Sequence, residues 1–239
     1  MNVTVFDTPE QVGKACALLF ASQVMRKKNS VLGLATGSSP IGCYQQLIAW
    51  HREGWLDFSD CISYNLDEYV GLPIEHETSY HAFMQAELFS GINMKATYLP
   101  DGNAANMNAE CRRYDRAIEK AGGIDIQLLG IGRNGHIGFN EPGEKFIYGT
   151  HVVNLTESTI DANKRFFESA DQVPRQAVSL GIGGIMNARE VVLVAMGVDK
   201  AKAIADTVKG PITPMVQASI LRTHPNAHIL IDKAAASRL

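Results

Sequence analysis

The sequence predicts an α/β fold, an open and mainly parallel sheet with helices on both faces. Three observations predict it. Short, mostly apolar runs recur at 31–35, 61–66, 124–129 and 191–196, as expected of strands buried on both faces. Stretches with apolar residues at helical spacing lie between them. Each run then gives way to a loop rich in glycine, serine or acidic residues, where sheets of this kind carry their chemistry.

Thr8-Pro9-Glu10-Gln11 reads as a helix start, with Thr8 as N-cap, Pro9 in the first turn and Gln11 reaching back. Val12, Cys16, Leu19 and Gln23 trace the buried stripe of that helix. Strand 31–35 leads through Thr36-Gly37-Ser38-Ser39-Pro40 into a helix whose Ile41, Tyr44, Leu47 and Ile48 share a face. Strand 61–66 and helices 78–89 and 108–121 follow, the last stopped by Gly122-Gly123. After strand 124–129 comes a glycine-rich loop. Strand 191–196 precedes a helix from Asp199 to Gly210-Pro211; Thr213-Pro214 should cap another helix before a final strand at 228–232. With no linker-like segment, the 239 residues read as a single Rossmann-like domain.

The hydrophobic fraction of 46% is ordinary for a globular protein, and a net charge of -3 without a long basic run argues against nucleic acid. Cys16, Cys43, Cys61 and Cys111 lack C-x-x-C spacing and read as buried free thiols in a reducing cytoplasm. Asp7 and Glu10 stand where a signal peptide would be basic, and 15–25 is too short and interrupted to span a bilayer, so no membrane partner is expected. The Asn-x-Thr triplets at Asn2 and Asn154 then read as chance matches. Gly130, Gly132 and Gly135 spell G-x-G-x-x-G, but Asn140, Pro142 and two further glycines follow where a nucleotide fold opens a helix. His76 with His81, and His224 with His228 across Pro225, lack the spacing of a helical metal site.

Four strand ends supply polar groups. Gly37, Ser38 and Ser39 precede a helix and can cradle an anion, or Ser38 or Ser39 can simply cap that helix. Asp67 and Glu68 close the second strand on opposite sides. Asp67 shares parity with Ser63 and Asn65 and is assigned to the cleft, while Glu68 suits an exposed strand end. In the third loop His136 can act as a base, with Glu141 orienting it. Lys200 in the first turn of the fourth helix opposes the helix dipole unless an anion binds there, and Arg165 reads as an anion clamp or a surface arginine. No serine-elbow or activated-cysteine motif appears. The residues point to acid–base chemistry on a small phosphorylated molecule.

Leu34-Ala35-Thr36-Gly37-Ser38-Ser39-Pro40, Asn65-Leu66-Asp67-Glu68-Tyr69-Val70-Gly71-Leu72 and Gly135-His136-Ile137-Gly138-Phe139-Asn140-Glu141-Pro142 resemble the glucosamine-6-phosphate deaminase (isomerising) family. Ala162-Asn163-Lys164-Arg165-Phe166-Phe167, Val173-Pro174 and Lys200-Ala201 fall in the same order. The resemblance implies conversion of glucosamine 6-phosphate and water to fructose 6-phosphate and ammonia in amino sugar catabolism, an isomerase and deaminase acting as a hydrolase, without metal or organic cofactor. It implies that His136 opens the sugar ring, oriented by Glu141, that Asp67 carries the C2 proton to C1, and that Gly37, Ser38, Ser39, Arg165 and Lys200 hold phosphate. A lid is expected near 156–172.

Two departures from the family pattern bear on mechanism. Asn134 stands where some members carry aspartate; it can orient the imidazole without stabilising its charge. His151 and Val153 stand where allosteric members look basic, and the chain stops soon after its last strand, so hyperbolic kinetics without activation by N-acetylglucosamine 6-phosphate are expected in a monomer or small homo-oligomer. The rival readings are a 6-phosphogluconolactonase-like hydrolase and a non-catalytic sugar-phosphate sensor.

Overall fold

The structure, a computed structural model, describes residues 1–164, 167 and 169–239. Its main sheet has seven strands: β1 (Asn2–Phe6), β2 (Val31–Leu34), β3 (Ile62–Asn65), β5 (Ala96–Tyr98), β6 (Ile126–Leu129), β9 (Glu190–Ala195) and β10 (Ala227–Asp232). They lie side by side in the order β1-β10-β9-β6-β2-β3-β5, all parallel. A second, antiparallel sheet joins β4 (Asp67–Tyr69), β8 (Gln176–Ser179) and β7 (His151–Asn154).

The helices are α1 (Pro9–Arg26), α2 (Ile41–Arg52), α3 (Tyr80–Glu87), α4 (Met107–Lys120), α5 (Glu157–Asn163), α6 (Ile182–Met186) and α7 (Ala201–Lys209). The expected capping box of α1 forms between Thr8 and Gln11. α1 and α2 pack so closely that a Cβ on Gly13 would sit 2.9 Å from the backbone of Gly42.

The chain steps one way across the sheet from β2 to β3 and the other way from β6 to β9, although β2 and β6 are neighbours. Right-handed crossovers then put α1 and α2 on one face and α4, α6 and α7 on the other. The two directions diverge above the β2–β6 pair, which is where open parallel sheets leave a crevice for ligands. Beneath it Leu128, Val192, Leu193 and Ile229 are fully buried. Leu193→Ala would cost about 2–5 kcal/mol. A smaller core of Tyr69, Phe139, Leu155, Ile160, Val173 and Ala177 fills the space beside the second sheet.

Two expectations need correction. The second strand does not run through 61–66 as one unit: β3 ends at Asn65, and the chain crosses at Leu66 into the other sheet. The helix expected after Thr213-Pro214 is instead a 3-10 stretch, Gln217–Thr223, because Thr213 and Val216 form an isolated bridge and the Ser219 hydroxyl engages both backbone groups of Thr213. Strands β1, β5, β7 and β8 were not anticipated. All four cysteines are buried free thiols, and among the described residues no helix is long and apolar enough to cross a membrane.

Candidate active site

A cavity of about 400 Å³ opens over the β2–β6 pair. Its size suits a small ligand. One wall is the loop after β2, where Gly37 takes a φ of 90° and Ser38 and Ser39 line the space. The N-cap of α2 is Pro40, which offers the helix no side-chain hydrogen bond. Lys200, in the 3-10 turn ahead of α7, reaches the same cavity and its ammonium donates to the Ile131 carbonyl at 2.9 Å.

Asp67 lies at the crossing from β3 to β4 and is 5% exposed, yet lines the cavity. Burial, and then the neighbouring charge of Glu68, push its carboxyl up to about 8. Among the described residues none donates a hydrogen bond to it. Glu68 points the other way, as period-two geometry requires, but it is buried rather than exposed. Its carboxylate accepts from the backbone N–H groups of Tyr69, Tyr80 and His81 and pairs with His81 Nδ1 at 2.9 Å. A carboxylate at the start of α3 complements the positive end of that helix, so Glu68 is a structural anchor.

The loop after β6 carries His136 into the cavity. Gly132 is needed beside it, since a Cβ there would lie 2.4 Å from the imidazole. His136 Nδ1 is 3.4 Å from Glu141 Oε2. Glu141 Oε2 also accepts from Asn134 Nδ2 at 2.8 Å, and Oε1 accepts from the Thr159 hydroxyl. Burial alone would raise the Glu141 carboxyl; the imidazole of His136 and its charge, with the donors of Thr159 and Asn134, outweigh it and bring it to about 2. An ionised Glu141 offers only acceptors, so a proton on Nδ1 of His136 would face it and leave Nε2 toward the cavity, although at 3.4 Å Nδ1 makes no hydrogen bond.

Asn134 does not touch the imidazole, contrary to expectation. Its Oδ1 accepts from the His136 backbone N–H at 3.2 Å while its amide donates to Glu141. Its hydrogen bonds thus run to the His136 backbone and to the carboxylate, not to the ring. The structure thus gathers Gly37, Ser38, Ser39, Asp67, Asn134, His136 and Lys200 around one cavity, with Glu141 directly behind. Arg165 lies outside the described residues.

Sequence reasoning missed Tyr80, Arg133 and Thr159, which also line the cavity. Arg133 pairs with Asp199 at 3.1 Å at the rim. Only Arg133 carried a usable signal, a cation inside the glycine-rich loop. The histidine pairs set aside as metal ligands have other partners: His76 contacts Thr78, His224 Nε2 meets the Ala188 carbonyl, and His228 meets Glu190. His151 and Val153 lie on β7; burial lowers the His151 imidazole.

Residues 7–229 match the family described as glucosamine-6-phosphate isomerases/6-phosphogluconolactonase. A glucosamine-6-phosphate deaminase of Thermoanaerobacter pseudethanolicus is 52% identical, covering 99% of this chain and 94% of the relative. One from Halothermothrix orenii is 51% identical over 100% of both. The solved structure of a monomeric glucosamine-6-phosphate deaminase superposes with a TM-score of 0.98 at 43% identity, covering 100% of each chain. The 6-phosphogluconolactonase of Trypanosoma brucei, at 21% identity and TM-score 0.78 over 100% of this chain and 98% of that one, shares the fold. The chain belongs to the glucosamine-6-phosphate isomerase/6-phosphogluconolactonase family.

Proposed function

We propose that this chain is a glucosamine-6-phosphate deaminase, converting glucosamine 6-phosphate and water to fructose 6-phosphate and ammonia. The observation that carries the reading is a division of labour in one cavity: a carboxyl pushed up to about 8 faces the same space as an imidazole backed by a carboxylate held near 2. The phosphate rests on the amides and hydroxyls of Gly37, Ser38 and Ser39, with Lys200 supplying charge; Arg165 joins them on sequence grounds.

His136 Nε2 takes the anomeric hydroxyl proton and returns it to the ring oxygen as the C1–O bond breaks, giving the open aldehyde. Asp67 then accepts the C2 proton, the electron pair forms a C1–C2 double bond, and the carbonyl oxygen takes a proton from water. Reprotonation at C1 leaves an iminium at C2; water adds there and ammonia departs. A carboxyl poised near 8 suits proton transfer at carbon close to neutral pH. The sequence is an aldose–ketose isomerisation followed by imine hydrolysis, so the term hydrolase describes only its last step. Water is the co-substrate, and no metal or organic cofactor takes part.

The 52% identity to a deaminase, against 21% to a lactonase, favours this reading over lactone hydrolysis. Asp67 and His136 on one cavity, with Glu141 3.4 Å behind the imidazole, favour turnover over sensing. The chain works as a monomer or small homo-oligomer in a reducing cytoplasm, with hyperbolic kinetics. Ammonia release from glucosamine 6-phosphate, measured beside hydrolysis of 6-phosphogluconolactone, tests the assignment. Lactone hydrolysis without ammonia release would contradict it.

A further inference from the structure

Thr159 belongs to α5, a segment distant in sequence from the catalytic loops, yet it is 3% exposed and lines the cavity. Its hydroxyl sits in a directional chain. Thr156, the N-cap of α5, accepts from the Thr159 backbone N–H, and the Thr156 hydroxyl donates to Thr159 Oγ1 at 3.1 Å. A hydroxyl has one proton, so Thr159, accepting from Thr156, gives its own to Glu141 Oε1. Asn134 holds the other oxygen of that carboxylate, and the imidazole of His136 faces the same oxygen as Asn134. The next residue, Ile160, is buried in the small core with Phe139, two positions before Glu141. α5 therefore grips the catalytic loop by an apolar and a polar contact at once.

We propose that Thr159 is a positioning residue for ring opening: its hydroxyl, aimed by Thr156, fixes the Glu141 carboxylate against His136, so that the seating of α5 and the geometry of the His136–Glu141 pair are set together. This rests on the deaminase reading for its catalytic consequence but not for its structural one. Among the described residues the groups facing Glu141 are His136 and Asn134 from its own loop, Thr159 from α5, and Gln217, which donates to the Glu141 backbone carbonyl; His136 is the titratable one of these.

The test compares wild type, Thr159→Val and Thr159→Ser by ammonia-release kinetics and by NMR of the labelled Glu141 carboxyl. Losing one hydrogen bond to a charged group predicts that Thr159→Val lowers kcat about tenfold or more, with KM within about threefold. The Glu141 carboxyl titrates at a higher pH in Thr159→Val than in wild type, because one donor to its charged form is lost while His136 and Asn134 remain. Thr159→Ser restores both. Unchanged kcat in Thr159→Val would overturn the proposal, as would a rise in KM alone. So would equal losses in the Val and Ser variants with the Glu141 titration unmoved, which would make Thr159 a packing residue. Absence of ammonia release by wild type would sink the deaminase reading, leaving the Glu141 titration to decide the positioning role.

Discussion

The two acidic corners of the cavity are built in opposite ways. Glu141 is met by Asn134, Thr159 and His136, and its carboxyl is held near 2 despite burial. Asp67 is met by no donor among the described residues, has Glu68 as its neighbour, and is pushed up to about 8. Burial acts on both in the same direction. What separates them is the supply of hydrogen-bond donors, which stabilise the charged form of one and not the other. A permanently ionised group can fix a histidine tautomer, whereas a group that titrates near neutrality can accept and return a proton.

Removing either corner tests this contrast, and Asp67 carries the larger effect. Asp67→Asn keeps the shape and removes the proton carrier; kcat for ammonia release should fall about 10²–10⁴-fold. Glu141→Gln leaves the imidazole in place but ungoverned, and a loss of about 10–100-fold in kcat is expected, smaller because Asn134 still holds the loop through the His136 N–H. Lys200→Ala removes charge from the anion side and should raise KM for glucosamine 6-phosphate about tenfold, with kcat less affected. A fall in kcat at constant KM would instead place Lys200 in the chemistry.

Asn134→Asp attacks the donor supply itself. It would set a second carboxylate where an amide now donates to Glu141 at 2.8 Å, so the pair must share a proton and the acid limb of the rate profile should move to higher pH. An unmoved limb would show that the amide does not govern Glu141. The smallest expected effect is on stability. The folded-state carboxyl of Asp67, near 8, lies above its ordinary 3.8, so the folded chain holds a proton that the unfolded chain releases, and stability falls as pH rises from 3.8 to 8. Asp67→Asn escapes that loss, and its Tm advantage over wild type should grow across the same window. Glu141 acts with the opposite sign: its stabilisation is present above 4.5 and disappears as pH falls toward 2.

The sheet and its switch point were legible because buried parallel strands are nearly continuous in apolar character and the loops after them are conspicuously polar. Asp67 was reached by parity with Ser63 and Asn65, although the strand breaks at Leu66 and the two segments belong to different sheets. Alternation cannot reveal that crossing, because it depends on pairing with β8, more than a hundred residues away. Strands β7 and β8 are four residues each and partly exposed, too short to register as a pattern. Glu68 looked like a surface acid because its partners are backbone N–H groups of α3, which no side-chain motif announces. Thr159 was invisible for the same reason: a threonine in a polar segment acquires its role only from the carboxylate it meets.

The most direct test of the central claim follows the C2 hydrogen of glucosamine 6-phosphate rather than the product. With substrate deuterated at C2, the account predicts that wild type cleaves the C–D bond with a primary isotope effect on the isomerisation step. Asp67→Asn should cleave it at least about 100-fold more slowly, while still opening the ring through His136. Cleavage of that bond by Asp67→Asn at the wild-type rate would contradict the account.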